Sequence, residues 1–148
     1  MADEGRGEID VPAPVAEVWD VVCDVEAYPT WMGDIRHAAV LERDADGRAS
    51  VVEFRVGGFG VTAGYTLAYT YEEHERVSWE LVRSNELRRM DGEYRFTERG
   101  GDGDPSTHVT YLLQVDLKIP VLRMVKRRAE KLIIHHALTG LRDRVTGG

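Results

Sequence analysis

From Ile35 to Leu117 the apolar residues recur at every second position, and after Lys118 that period does not return. A period of two belongs to strands, whose side chains alternate between faces. Six such stretches follow one another: "IRHAAVLE", "ASVVEFRVG", "FGVTAGYTLAYTYEE", "RVSWELVR", "RRMDGEYRFTE" and "THVTYLLQVDL". Short polar segments join them, with "DADG" reading as a hairpin turn and "RGGDGDPS" as the last loop. Connections this short make neighbouring strands antiparallel. An earlier stretch, "GEIDVPAP", alternates Ile9 and Val11 with polar residues before two prolines, and predicts a seventh strand.

Two helical segments frame these strands. Pro14 suits a first helical turn, where its missing N–H costs nothing. Val15, Val18, Trp19 and Val22 then fall on one helical face. Pro29 disfavours helical geometry at Tyr28, so "EAYPTWMGDI" predicts a second, very short helix or a tight corner. The long terminal segment, "PVLRMVKRRAEKLIIHHALTGLRDRV", begins at Pro120 and runs to about Val145, roughly 39 Å of helix. Val121, Val125, Ala129, Leu132, Ile133, His136 and Leu141 fall on or near one face of it, with Arg127, Arg128, Lys131 and Arg142 mostly off it. A single antiparallel sheet has one apolar face to cover, and this helix is the element long enough to cover it. The expected fold class is α+β, a curved seven-stranded antiparallel sheet gripping the C-terminal helix, in one domain spanning residues 1–148.

Composition sets outer limits. Of 148 residues, 43% are hydrophobic and 30% charged, which fits an ordinary globular chain. No stretch is apolar enough for a transmembrane helix, and "MADEGRGEID" lacks the apolar core of a signal peptide. Cys23 is the single cysteine. A lone thiol at the end of a helical pattern reads as a small buried side chain and suits a reducing cytoplasm. Net charge is −7, but residues 1–117 carry −13 and residues 118–148 carry +6. The basic cluster "KIPVLRMVKRRAEK" reads as a solvated helix face; the sharper alternative is a contact for RNA, anionic lipid or an acidic partner. Acidity elsewhere argues against specific nucleic-acid binding.

Familiar motifs fail on context. "GGFGVTAG" nearly matches a dinucleotide fingerprint, yet alternation follows its glycines where a helix should begin. "ERDADGRASVVE" is spaced almost like a calcium loop, but it starts on Glu and both flanks read as strands. His135 and His136 are sequence neighbours about 100° apart on a helix, and His37, His74 and His108 show no ligand spacing. No metal site and no cofactor are expected. No nucleophile elbow or Ser/His/Asp pattern stands out.

The aromatics carry more information. If Val77, Trp79 and Leu81 point inward, parity sends Met90, Gly92, Tyr94 and Phe96 to the same side, and Val109, Tyr111, Leu113 and Val115 likewise. The expected cavity between sheet and helix is lined from the sheet by Phe54, Tyr65, Tyr69, Trp79, Tyr94 and Tyr111. From the helix it is lined by Ile133 and His136, the latter a satisfied core histidine or a proton donor. Ala63, Gly92, Ala129, Ala137 and Gly140 are small residues that leave it volume. Several phenol hydroxyls enter the interior and need partners.

The run "VPAPVAEVWDVVCDVEAYPTWM", continued by "VSWELVRSNELRRMDGEYRF", "THVTYLLQVDL" and the final helix, resembles the START-like helix-grip (SRPBCC) superfamily, which includes birch-allergen-like proteins. Within it the chain is similar to the polyketide cyclase/dehydrase and coenzyme Q-binding branch. The resemblance implies that the short helix with Tyr28, Pro29 and Trp31 closes the grip near the pocket, which puts Trp31 at the rim. It also implies a hydrophobic small-molecule ligand: a lipid, isoprenoid quinone or polyketide. Polyketide aromatase/cyclase or dehydratase activity is the alternative. The strand "YTLAYTYEE" lacks the inward arginine and serine of better-understood cyclases of this fold, which weakens that alternative. A third reading, like the ribosome-associating relatives, rests on the basic helix. A homodimer is left open.

Overall fold

The computed structural model describes residues 5–58 and 61–147. Strand β1 (Gly5–Val11) leads into α1 (Val15–Cys23) and a 3-10 segment (Val25–Thr30). Then come β2 (Ile35–Arg43), β3 (Ala49–Gly58), β4 (Val61–Glu72), β5 (Arg76–Ser84), β6 (Leu87–Gly101) and β7 (Asp104–Leu117), and last α2 (Arg123–Thr146). The strands form one antiparallel sheet in the order β1-β7-β6-β5-β4-β3-β2. This is the α+β helix-grip architecture, with two short helices after the first strand. Strands β2 to β7 form an unbroken meander. The one long crossover therefore runs from β1 to β2, and α1 with the 3-10 segment carries the chain from one sheet edge to the other.

Local chemistry explains the connections. In "DADG" the Asp44 Oδ1 accepts the Asp46 and Arg48 N–H groups at 2.9 and 3.0 Å, and Gly47 takes φ +83°. That is hairpin chemistry. Of the glycine-rich stretch, Phe59 and Gly60 lie outside the described residues; β4 starts at Val61, paired with Gly58, so a strand and not a helix follows the glycines. The expected loop "RGGDGDPS" is largely strand: pairing continues to Gly100↔Pro105 and Gly101↔Asp104. Gly100 at φ +81° supplies the left-handed residue that lets the hairpin close so tightly.

Helix α2 departs from expectation in two respects. It starts at Arg123 and not at Pro120, with Leu122 in extended geometry and no side-chain cap. Its buried face is also rotated. Glu130, Ile134, Ala137, Leu138 and Leu141 are buried, whereas Val121, Val125, Leu132 and His136 are exposed. The cause lies in β1. A Cβ on Gly7 would stand 2.3 Å from Ile134 Cγ2 and 3.1 Å from Leu138 Cδ1. The bare glycine lets the helix press Ile134 and Leu138 directly onto the strand. Glu130 can be buried because its Oε2 accepts the Val115 N–H at 3.0 Å.

The same edge holds a histidine clamp. Protonated His108 on β7 donates to Glu8 at 2.9 Å and to Asp10 at 2.7 Å, both on β1. The Glu8 bond, then the Asp10 bond, raise the His108 pKa above its ordinary 6.5, and the His108 bond holds Glu8 below its ordinary 4.5.

Two outcomes follow from this edge. Gly7→Ala should cost about 1–3 kcal/mol in chemical denaturation, and less in an Ile134→Ala background, because the clash is with that side chain. Equal costs in the two backgrounds would place the strain elsewhere. The clamp's contribution is complete between pH 4.5 and 6.5. It declines as pH rises through the elevated His108 value, and again as pH falls through the depressed Glu8 value. Stability of wild type relative to His108→Gln, measured across pH, should therefore peak inside that window; a flat difference would refute the clamp.

Candidate functional site

The inward face of the sheet is a continuous aromatic surface. Register places Phe54 beside Tyr65, Tyr69 beside Trp79, and Tyr94 beside Tyr111. Ring centroids lie 5.9 Å apart for Tyr69–Trp79, 5.5 Å for Trp79–Tyr94 and 5.6 Å for Trp79–Tyr111. Tyr94 and Tyr111 meet edge to face at 4.7 Å. Trp79 is thus the hub. Its position depends on its cross-strand partner Gly92. A Cβ there would come within 2.6 Å of both the indole and the Leu112 carbonyl. The volume expected at Gly92 is therefore filled by the Trp79 ring.

The corner after α1 is bolted at three points. The Tyr28 hydroxyl donates to the Val22 carbonyl, and its ring stacks on Phe54 at 6.2 Å and meets Trp31 edge-on at 5.3 Å. Trp31 in turn lies against Gly140 of α2, whose added Cβ would be 3.0 Å from the Trp31 carbonyl oxygen. The aromatic pair therefore ties helix, corner and sheet together. At the other end, Trp19 packs on Phe96 at 5.7 Å and Tyr71 at 6.2 Å, with the Arg48 guanidinium 5.6 Å from the Trp19 and Tyr71 rings.

The hydrogen-bond account of this interior does not close. Tyr28 and Tyr71 spend their hydroxyls on backbone carbonyls, Tyr71 on Ala49 at 2.7 Å. Trp31 Nε1, Trp79 Nε1 and Tyr94 Oη are buried with no hydrogen-bond partner. An indole N–H only donates, and a phenol donates or accepts. Each such orphan costs about 1–3 kcal/mol when no water or ligand satisfies it. Burial pushes the phenols of Tyr69, Tyr94 and Tyr111 well above their ordinary range, so they remain neutral donors. The buried ionisable side chain outside the tyrosines, among the described residues, is Glu130, already engaged by Val115. The aromatic face is therefore apolar and supplied with unused donors, and the buried carboxyl of Glu130 is held on the β7 backbone.

Phe54, Tyr65, Trp79, Tyr94 and Tyr111 are buried, and Tyr69, Trp31 and Ile133 are half-buried against the same core. His136 does not join them. Its side chain is 50% exposed, with Nδ1 3.4 Å from Asp34 Oδ2, because the helix face is rotated away from it. The residues that sequence pattern does not reveal are Gly5 and Gly7, which position α2, and the indole N–H of Trp79, which needs a partner as much as the phenol hydroxyls do. Cys23 is partly buried, and desolvation pushes its thiol up to about 12, which makes it a poor nucleophile. Among the described residues, no three His, Cys, Asp or Glu side chains gather in a way that would hold a metal, and no helix is long and apolar enough to cross a membrane.

Comparison with solved structures supports the fold. A START superfamily protein from Mycobacterium smegmatis superposes with a TM-score of 0.88 at 24% identity, covering 97% of each chain. A Thermus thermophilus protein gives 0.85 at 20% identity, covering 98% of each. A Streptomyces aromatase/cyclase gives 0.76 at 15% identity, covering 99% of this chain and 94% of its own. A search of the curated proteins found no match. The sequence pattern of one family matches residues 11–142, nearly the whole chain. The chain belongs to the polyketide cyclase/dehydrase and lipid transport family.

Proposed function

We propose that the protein binds an apolar small molecule bearing an oxygen acceptor, of the lipid, isoprenoid quinone or polyketide kind, between the aromatic sheet face and α2. The observation that carries this reading is the set of buried, unpartnered donors on Trp79 and Tyr94, with Trp31 at the rim. A pure hydrocarbon would leave them unsatisfied, whereas a carbonyl or ether oxygen would accept from them. Phe54, Tyr65, Tyr69, Tyr111 and Ile133 would supply the apolar walls. Helix α2 packs chiefly on β1 and β7, and on this reading the ligand would lie between it and the aromatics of β3 to β5. The family's description joins polyketide chemistry with lipid transport, both of which handle apolar cargo. Burying about 400 Å² of ligand surface is worth roughly 10 kcal/mol. Immobilisation offsets much of that gain, which points to affinity of about micromolar strength.

Cyclase or dehydratase activity has less support. General acid–base work needs a group that titrates near neutrality. The buried tyrosines are pushed away from that range, Glu130 is bound to backbone, and His136 faces solvent against Asp34.

Tyr94→Phe separates binding from packing. With no protein partner to lose, the unliganded variant should be as stable as wild type or up to about 1 kcal/mol more stable. Its affinity for a long-chain alkylquinone or alkyl ketone, measured by calorimetry, should fall about five- to tenfold. Affinity for the matching alkylbenzene should not change. Destabilisation of the unliganded variant, or no binding of any oxygenated probe by wild type, would overturn the reading.

A further inference from the structure

Five of the eight exposed large apolar side chains among the described residues fall in one stretch, residues 119–125; Leu41, Val82 and Leu132 lie elsewhere. Ile119, Leu122, Met124 and Val125 are 68%, 77%, 73% and 54% exposed, and they occupy the linker before α2 and its first turn. The surrounding charge is mostly positive, with Asp116 the acid beside it, paired to Lys126. Residues 118–131 contain six Lys or Arg and a single acid, Glu130, which is turned into the protein. A helix N-terminus carries positive partial charge and is normally offset by Asp or Glu. No acidic residue occupies the first turn of α2, and no side chain caps it. The segment therefore keeps a positive field and exposed apolar surface together, on a protein whose net charge is −7.

This ridge is anchored. The Lys118 N–H donates to the Glu86 carbonyl at 2.9 Å, and its Nζ donates to the Ser84 carbonyl at 2.7 Å. Lys126 pairs with Asp116 at 2.7 Å. Beside the linker runs a groove of about 450 Å³ that brings Arg88, Lys118 and the Lys126–Asp116 pair together with Ile119, Pro120 and Val121. Basic and apolar groups thus share one surface held to the β5–β6 turn and the end of β7.

We infer that the Ile119–Val125 ridge docks the protein on an anionic bilayer surface, its apolar side chains entering the interfacial layer and the flanking Lys and Arg meeting lipid phosphates. RNA would use the charges but has no use for Leu122 and Met124. A stable protein partner needs about 800 Å² per side of shaped surface, more than a ridge of a few residues supplies. A lipid interface demands no such shape: it accepts a small amphipathic ridge and adds electrostatic attraction for each basic residue near it. Long Lys and Arg stems can lie along the apolar layer with their charges in the headgroups. The inference stands apart from the interior ligand site, and the protein without ligand should show it.

The test is co-sedimentation of the full chain with vesicles of phosphatidylcholine alone, or of phosphatidylcholine mixed with phosphatidylglycerol. Wild type should bind the mixed vesicles roughly tenfold or more better than the neutral ones, and binding should weaken with salt. Leu122→Ser/Met124→Ser should lose most of that binding while melting as wild type does, because both side chains are in solvent. Met124→Ser alone should show an intermediate loss. Arg128→Gln/Lys131→Gln should weaken binding and flatten its salt dependence. The inference fails if neutral and anionic vesicles bind equally or not at all. It also fails if the charge variant loses binding while the apolar variant does not. It fails too if light scattering shows a dimer that the apolar variant dissociates while vesicles are ignored.

Discussion

The approach of α2 to β1 sets the geometry on which the rest depends. Ile134 and Leu138 reach the backbone of β1 because Gly5 and Gly7 carry no side chain there. This close contact fixes the helix over the β1–β7 side of the sheet, and Glu130 locks it by taking the Val115 N–H. A curved sheet held at one side by its helix and at the other by the Tyr28–Trp31 corner turns large aromatics toward the span between them. Trp79 is their centre, and its ring occupies the space that a side chain on Gly92 of the neighbouring strand would need.

Tight packing at the two sides and unused donors in the middle are complementary facts. A core selected only for stability would pair Trp79 Nε1 and Tyr94 Oη or replace them with apolar groups of the same shape. The sequence instead keeps neutral, high-pKa donors inside an apolar wall. On the proposed reading, such a surface would discriminate by oxygen placement more than by charge. This is why the proposed cargo is apolar yet oxygenated, and why the interior is a weak candidate for acid–base catalysis.

How much of this was legible in the sequence depended on the element. Strand faces follow a strict period of two, so parity from Trp79 correctly gave the inward set Met90, Tyr94, Phe96, Val109, Tyr111 and Leu113. Pro29 correctly marked the corner. The helix was harder, because its rotation is decided by what it meets. Its apolar residues form two groups, and in the sequence the outward one, with Val125 and Leu132, is as much like a core face as the inward one. Nothing local signals that Glu130 would be buried, or that two glycines over a hundred residues away would choose Ile134 over Ile133 as the main contact. The misplacement of His136 follows from that rotation. The last hairpin looks like a loop in the sequence because "GGDGDP" is rich in turn residues, although only residues 102–103 lie between the strands.

The central claim is that the interior accepts an oxygenated apolar molecule. Native mass spectrometry of the protein purified from its own host addresses it most directly. The account predicts a bound mass corresponding to one apolar, oxygen-bearing molecule, released on unfolding and taken up again from a host lipid extract. Protein that emerges empty and stays empty after exposure to that extract, or that retains a charged water-soluble metabolite instead, would contradict it.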